Sequence, residues 1–162
     1  MPTFGPPTST VSAIGDSSAL LSPRIVVADD ESHIRLVVGE KFRAEGCVVM
    51  EARDGEEALE IVRANMPHLL VTDLQMPYMN GLELCTQLAA DPRTAGIPAI
   101  LLTARGHIIS DDQISRSCIR KVLSKPFSAK ILFEHAAALL GQSFGAASPP
   151  LPIPNSPRCE AA

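Results

Sequence analysis

The chain has no long apolar run. Nothing approaches the roughly 18 consecutive apolar residues that a membrane span requires, so the reading contains no membrane segment. It has no block of Lys and Arg, and its formal net charge is −4. The electrostatic footprint of a nucleic-acid binder is therefore missing. It has no C-x-x-C pair, because Cys47, Cys85, Cys118 and Cys159 are far apart. Reduced thiols fit that spacing better than a disulfide framework or a zinc site. Cys47 and Cys85 fall in apolar patterns and read as core packing. No G-x-G-x-x-G follows the first strand-like run, which argues against a dinucleotide-binding domain. Met1–Pro23 carries neither Lys nor Arg and no continuous apolar stretch, so it does not read as a secretory signal. Together these absences predict a cytoplasmic protein.

What is present fits one folded domain. The 162 residues are 46% hydrophobic and 20% charged, ordinary values for a globular chain able to bury a core. Nine of the 14 prolines lie in Met1–Pro23 and Ser143–Ala162. Both ends, residues 1–23 and 143–162, are expected to be disordered, since they bury too little to offset chain entropy. The run Pro149-Pro150-Leu151-Pro152-Ile153-Pro154 reads as a solvated tail or as a polyproline recognition segment.

Between the ends, residues 24–142, strand and helix patterns alternate. The spacing predicts strands at Arg24–Ala28, Cys47–Glu51, His68–Thr72, Pro98–Thr103 and Ile119–Ser124. It predicts helices at Ser32–Ala44, Gly55–Asn65, Gly81–Ala90, His107–Ser117 and Ser128–Leu140. Gly46, Pro67, Asp91-Pro92 and Gly141 are the expected stops. Five β-α units with near-continuous apolar strands point to a doubly wound parallel sheet covered on both faces.

The most informative stretch is Asp73-Leu74-Gln75-Met76-Pro77-Tyr78-Met79-Asn80-Gly81. A carboxylate follows an apolar strand, at the edge where such sheets place their chemistry. Three other elements sit at equivalent strand ends: Asp29-Asp30, Thr103 and Lys125-Pro126. Each has a plain structural reading when taken alone. Asp29-Asp30-Glu31 suits a helix N-cap, Asp73 a turn, Thr103 a strand-end hydroxyl, Lys125 a solvated turn and Asp111-Asp112 a solvated helix start. Taken together they suggest more. Carboxylates converging on one sheet edge repel one another unless a cation lies among them, and oxygen-only donors suit Mg²⁺ or Mn²⁺. A divalent ion beside a carboxylate, a hydroxyl and an ammonium is a set suited to phosphoryl transfer. Asp73 would be the nucleophile, and Thr103 and Lys125 would meet the phosphoryl oxygens.

On these residues the chain resembles the receiver domain of two-component response regulators, stand-alone type, over about Arg24 to Gln142. The matching pieces are Val-Val-Ala-Asp29-Asp30-Glu31, Asp73-Leu-Gln-Met-Pro77 with Gly81, Leu-Thr103-Ala104 and Lys125-Pro126-Phe127. The resemblance implies a flavodoxin-like fold with strand order 2-1-3-4-5. It implies that Asp73 accepts a phosphoryl group from a phosphohistidine donor, a histidine kinase or a phosphotransfer protein. It implies that Asp30, Asp73 and the backbone carbonyl of Gln75 bind Mg²⁺ directly, with Asp29 acting mainly through metal-bound water. It also implies a cis Lys-Pro bond. The output would be a protein target or a homodimer met at the face of the fourth helix, fifth strand and fifth helix. The twenty residues after Gln142 are too few to fold a DNA-binding or catalytic module.

Two departures stand out. The family usually has an aromatic residue three before the lysine, which swings inward with the threonine; here it is Val122. Ser117-Cys118-Ile119-Arg120-Lys121 also lacks the common Ala-Gly-Ala-Asp pattern. Gln75 and Arg105 occupy positions linked in the family to acyl-phosphate lifetime, and Arg105 is a candidate to cover the phosphoryl group. Val122 keeps a second reading open, a constitutive receiver-like binding module that works unphosphorylated. A third reading, a Mg²⁺-dependent phosphatase with an Asp nucleophile, requires an Asp two residues after Asp73, where Gln75 stands.

Overall fold

The computed structural model describes residues 22–104 and 106–144. The expectations for the N-terminal extension before Ser22, the proline-rich tail from residue 145 and Arg105 lie outside the described residues. The element order is β1 (Arg24–Ala28), α1 (Ser32–Ala44), β2 (Val48–Ala52), α2 (Gly55–Asn65), β3 (Leu69–Asp73), α3 (Gly81–Ala90), β4 (Ala99–Thr103), α4 (Asp111–Ser115), β5 (Ile119–Ser124) and α5 (Ala129–Phe144). The strands form one sheet in the order β2-β1-β3-β4-β5, and every pairing is parallel. This is the expected flavodoxin-like order, with its reversal point between β1 and β3.

Alternation along each strand divides the core into two layers. Ile25, Val27, Leu69, Val71, Ile100 and Leu102 face α1 and α5, where Val38, Phe42, Leu132 and Ala136 meet them. Val26, Leu70, Ala99 and Leu101 face α2 and α3, where Ala58, Val62, Leu84, Cys85 and Leu88 close the layer. Every residue of β3 and β4 is buried, as a sheet covered on both faces requires. Cys47, Cys85 and Cys118 are buried free thiols, so Cys47 and Cys85 are core residues as expected.

The helix ends follow local chemistry. Asn80 and Glu83 form a reciprocal capping box at α3, and the Asp54 carboxylate accepts the Glu57 N–H at α2. α1 ends where Gly46 takes φ +91°, a conformation open to glycine without strain. α2 ends differently. Its cap residue is Met66, in the left-handed conformation with φ 47° and ψ 65°, which costs an L-residue about 1–2 kcal/mol. Met66→Gly is therefore expected to stabilise the fold by about 0.5–1 kcal/mol, after allowing for the greater unfolded-state freedom of glycine. A higher urea midpoint is the expected result. An unchanged or lower midpoint would mean that packing of the Met66 side chain outweighs its backbone strain.

Several expected boundaries need correction. The helix expected over His107–Ser117 is only Asp111–Ser115. Gly106, at φ +86°, belongs to the preceding loop. The start is set by Ser110, whose hydroxyl accepts the Gln113 N–H in a second capping box. No residue of α4 is buried, so no apolar stripe holds further turns against the core. The last helix continues through Gly141 to Phe144, because Gly141 does not adopt the left-handed geometry that ends α1. The second and third strands each lie one residue later than expected, which makes Asp73 the last residue of β3.

The fifth strand is irregular at its start. Ala99 pairs with Ile119 but Ile100 pairs with Lys121, so Arg120 is an extra residue in the ladder. This bulge lies in the segment whose sequence departs most from the family pattern. Val122 is half-buried and packs against the α2–α3 layer, as Ile109 and Ile114 also do.

Candidate functional site: an acidic cluster at the carboxyl edge of the sheet

Parallel pairing carries four separate stretches to one edge. Asp29 follows β1, and its N–H bonds the Ala52 carbonyl at 3.2 Å. Asp73 ends the adjacent β3 and pairs with Leu102. Thr103 ends β4 and pairs with Ser124. The Lys125 N–H then donates to the Thr103 carbonyl at 2.7 Å, bringing the lysine round to face the acids. The Lys125–Pro126 peptide is cis, as the family resemblance implies.

The predicted residues converge. Carboxylate oxygens of Asp29, Asp30 and Asp73 lie within 4.8 Å of one another. Asp29 and Asp73 are buried, and Asp30 is exposed. Lys125 Nζ lies 3.1 Å from Asp73 Oδ1 and 3.3 Å from Asp29 Oδ2. Thr103 is buried, and no hydrogen bond to its hydroxyl is made among the described residues. A buried hydroxyl ordinarily has a partner, so this one is available to a ligand. Gln75 and Asp30 line a cleft of about 710 Å³ that opens beside the cluster, walled on its far side by His107, Ile108 and Ile109.

Electrostatics explain why the cluster is costly without a ligand. Burial pushes the Asp73 carboxyl above its ordinary range, and the Asp29 charge adds to this. Burial likewise raises Asp29, against the opposing pull of the Glu31 N–H and Lys125. Burial would lower the Lys125 ammonium, but its hydrogen bond to Asp73 and the nearby acids more than reverse that, so its proton is held more tightly. One cation, Lys125, thus serves several acids.

Two contacts were not legible in the sequence. The Arg35 guanidinium donates to the Asp29 carbonyl at 2.6 Å and bridges to Glu51 at 3.5 Å, bracing the acidic turn against β2. Glu31 Oε1 lies 3.3 Å from Lys125 Nζ. Glu31 was visible as part of an acidic triplet, but its partner is 94 residues away in the chain.

No helix among the described residues is long and apolar enough to cross a membrane. Comparison with known proteins agrees with the geometry. The family model described as "Response regulator receiver domain" matches residues 25–137. The response regulator MprA of Mycobacterium ulcerans (strain Agy99) is 35% identical over 122 residues, covering 74% of this chain and 51% of MprA. The response regulator PleD of Caulobacter vibrioides (strain NA1000 / CB15N) is 36% identical over 123 residues, covering 74% of this chain and 26% of PleD. The chain thus spans about half or less of the length of these relatives. The solved receiver domain of the Francisella response regulator 1452 superposes with a TM-score of 0.67 at 28% identity, over 75% of this chain and 99% of that one. With five parallel strands in this order, acids just after β1 and at the end of β3, a lysine after β5, and a family model matching most of its length, the chain belongs to the response regulator receiver domain family.

Proposed function

We propose that this receiver takes a phosphoryl group onto Asp73 from a phosphohistidine of a histidine kinase or phosphotransfer protein in the cytoplasm, and that phosphorylation changes which protein it binds. The observation that carries this reading is the reach of Lys125 to both buried acids, at 3.1 and 3.3 Å. The donor set also fits a hard divalent ion, since it is all oxygen and its acids are under-neutralised. Asp29, Asp30, Asp73 and the backbone carbonyl of Gln75 would hold Mg²⁺, with Mn²⁺ a substitute. When bound, that ion would supply positive charge for the phosphoryl oxygens.

The chain's own residues then divide the work. A carboxylate oxygen of Asp73 attacks phosphorus, and a P–O bond forms as the P–N bond breaks. The imidazole nitrogen leaves with the bonding pair and takes up a proton. Lys125 stabilises charge on the phosphoryl oxygens, and the Thr103 hydroxyl donates to one of them. Water attack on phosphorus later restores the carboxylate and releases phosphate. The output face would be α4, β5 and α5, for a protein target or a second copy, with two states whose balance phosphorylation shifts.

Val122 favours a second reading. A half-buried valine cannot swing a ring inward or outward, so a constitutive binding module remains the competitor. Intact-mass measurement after incubation with acetyl phosphate and Mg²⁺ separates the two. One added phosphoryl group is expected, lost in Asp73→Asn and lost with EDTA. No adduct on the folded wild-type chain, under conditions that preserve acyl phosphates, would leave the constitutive module as the better account.

A further inference from the structure

Glu31 occupies the N-cap position of α1, with extended backbone at φ −87° and ψ 113°. That position favours Ser, Thr, Asp or Asn, whose short side chains reach the free N–H groups of the first turn. The Glu31 carboxylate makes no such bond. Instead it spans to Lys125, on the other side of the site. Its backbone is firmly held. The Glu31 N–H donates to Asp29 Oδ1 at 2.8 Å, and its carbonyl accepts from Ile34 and Arg35 at 3.1 and 3.2 Å. The carboxylate is thus presented to Lys125 from a fixed anchor, at the cost of a helix cap.

The count of donors on Lys125 gives this contact a consequence. An ammonium has three N–H donors, and three carboxylates stand at 3.1, 3.3 and 3.3 Å. A phosphoryl oxygen that is to be met by Lys125 must displace one of them. The side chains of Asp29 and Asp73 are 0% and 7% exposed, whereas that of Glu31 is 50% exposed. While the donor approaches and Asp73 is still ionised, only Glu31 can leave for water without stranding a buried charge.

We infer that Glu31 is a positioning residue that tethers Lys125 at the mouth of the site and restrains phosphoryl uptake at Asp73. The tether opens when a phosphoryl group arrives, and the Glu31 carboxylate swings out at the start of α1. This inference rests on the reading of Asp73 as the phosphoacceptor.

The test compares the rate of phosphoryl uptake from acetyl phosphate, at fixed Mg²⁺, in wild type, Glu31→Gln and Glu31→Asp, at low and high salt. Glu31→Gln removes the charge. Glu31→Asp keeps the charge, shortens the reach by one methylene and restores a favoured cap. Both variants are expected to react faster, by up to about fivefold, the factor matching the strength of an exposed ion pair. For both variants the gain is expected to shrink at high salt, where the exposed wild-type pair is itself screened. Wild-type rates in both variants would overturn the inference. So would a gain in Glu31→Gln alone, which would mark simple repulsion of the anionic donor. A thermal double-mutant cycle of Glu31→Gln with Lys125→Gln supplies a readout that needs no phosphorylation. Non-additive melting shifts are expected, and additive shifts would overturn the tether. Absence of uptake by wild type would overturn the phosphoacceptor reading, and the cycle would then decide the Glu31–Lys125 pair separately.

Discussion

Gly81→Ala is expected to destabilise the chain by about 2–3 kcal/mol and to slow phosphoryl uptake at Asp73 in the molecules that remain folded. In an ordinary helix the same change would stabilise by up to about 1 kcal/mol, because alanine is the better helix former. Space decides the sign here. A Cβ at Gly81 would penetrate the van der Waals shell of the Asp73 carbonyl oxygen and lie 2.9 Å from Leu101 Cδ1. The obstructing atom is backbone at the end of a buried strand, not the tip of a flexible side chain. Movement is further restricted because the Gly81 N–H donates to the Leu74 carbonyl at 2.9 Å, while the Leu74 N–H is held by Leu102 at 2.8 Å. The seam between α3 and β3 must open, and Asp73 moves with it. Urea unfolding gives the stability change and intact-mass kinetics the change at the site. Wild-type values in both would show that the seam yields without cost.

The second expectation concerns metal and pH. In the absence of divalent ions, Asp29→Asn is expected to be more stable than wild type near neutral pH. In saturating Mg²⁺ the order is expected to reverse. Binding at a free concentration one hundred times the dissociation constant stabilises the native state by about 2.7 kcal/mol, and Asp29→Asn should lose most of that increment. The amide retains an oxygen to accept the Glu31 N–H, so the substitution removes charge with little change of shape. The pH dependence has a definite sign. Both Asp29 and Asp73 titrate above their ordinary 3.8 in the folded chain. Between that ordinary value and the raised folded values, the folded state binds more protons than the unfolded state. Stability contributed by these groups therefore falls as pH rises through that window, and is least once both are ionised. Metal-free wild type should lose stability relative to Asp29→Asn as pH rises from the ordinary carboxylate range toward neutrality, and Mg²⁺ should suppress that loss. Thermal melts across pH with and without Mg²⁺ measure it. A wild type whose margin over the variant grows with pH in the absence of metal would refute the account.

Much of this molecule is determined by local pattern. The runs Ile25-Val26-Val27-Ala28 and Ala99-Ile100-Leu101-Leu102 have few alternatives to buried strands, because such continuous apolar stretches need cover on both faces. Asn80 and Asp54 define helix starts because their side-chain oxygens reach N–H groups three residues on. The carboxylates, hydroxyl and lysine are identifiable because each ends or closely follows a strand, and parallel strands end on the same edge. The sequence pattern overextends the fourth helix because polar residues carry no periodicity strong enough to mark its ends. Its start depends on the Ser110 cap, and its brevity on the absence of an apolar stripe.

The tertiary structure decided what depends on through-space contact between distant segments. The register of β5 slips at Arg120, a choice made by pairing with β4 rather than by anything local. The raised titration of Asp29 and Asp73 comes from burial within the assembled edge. The sharing of Lys125 among Asp29, Asp73 and Glu31 spans up to 96 residues of chain. A sequence can display a charge and its helix position. Which opposite charge it meets depends on folding, because Coulomb energy is set by distance in space and by the water that burial removes.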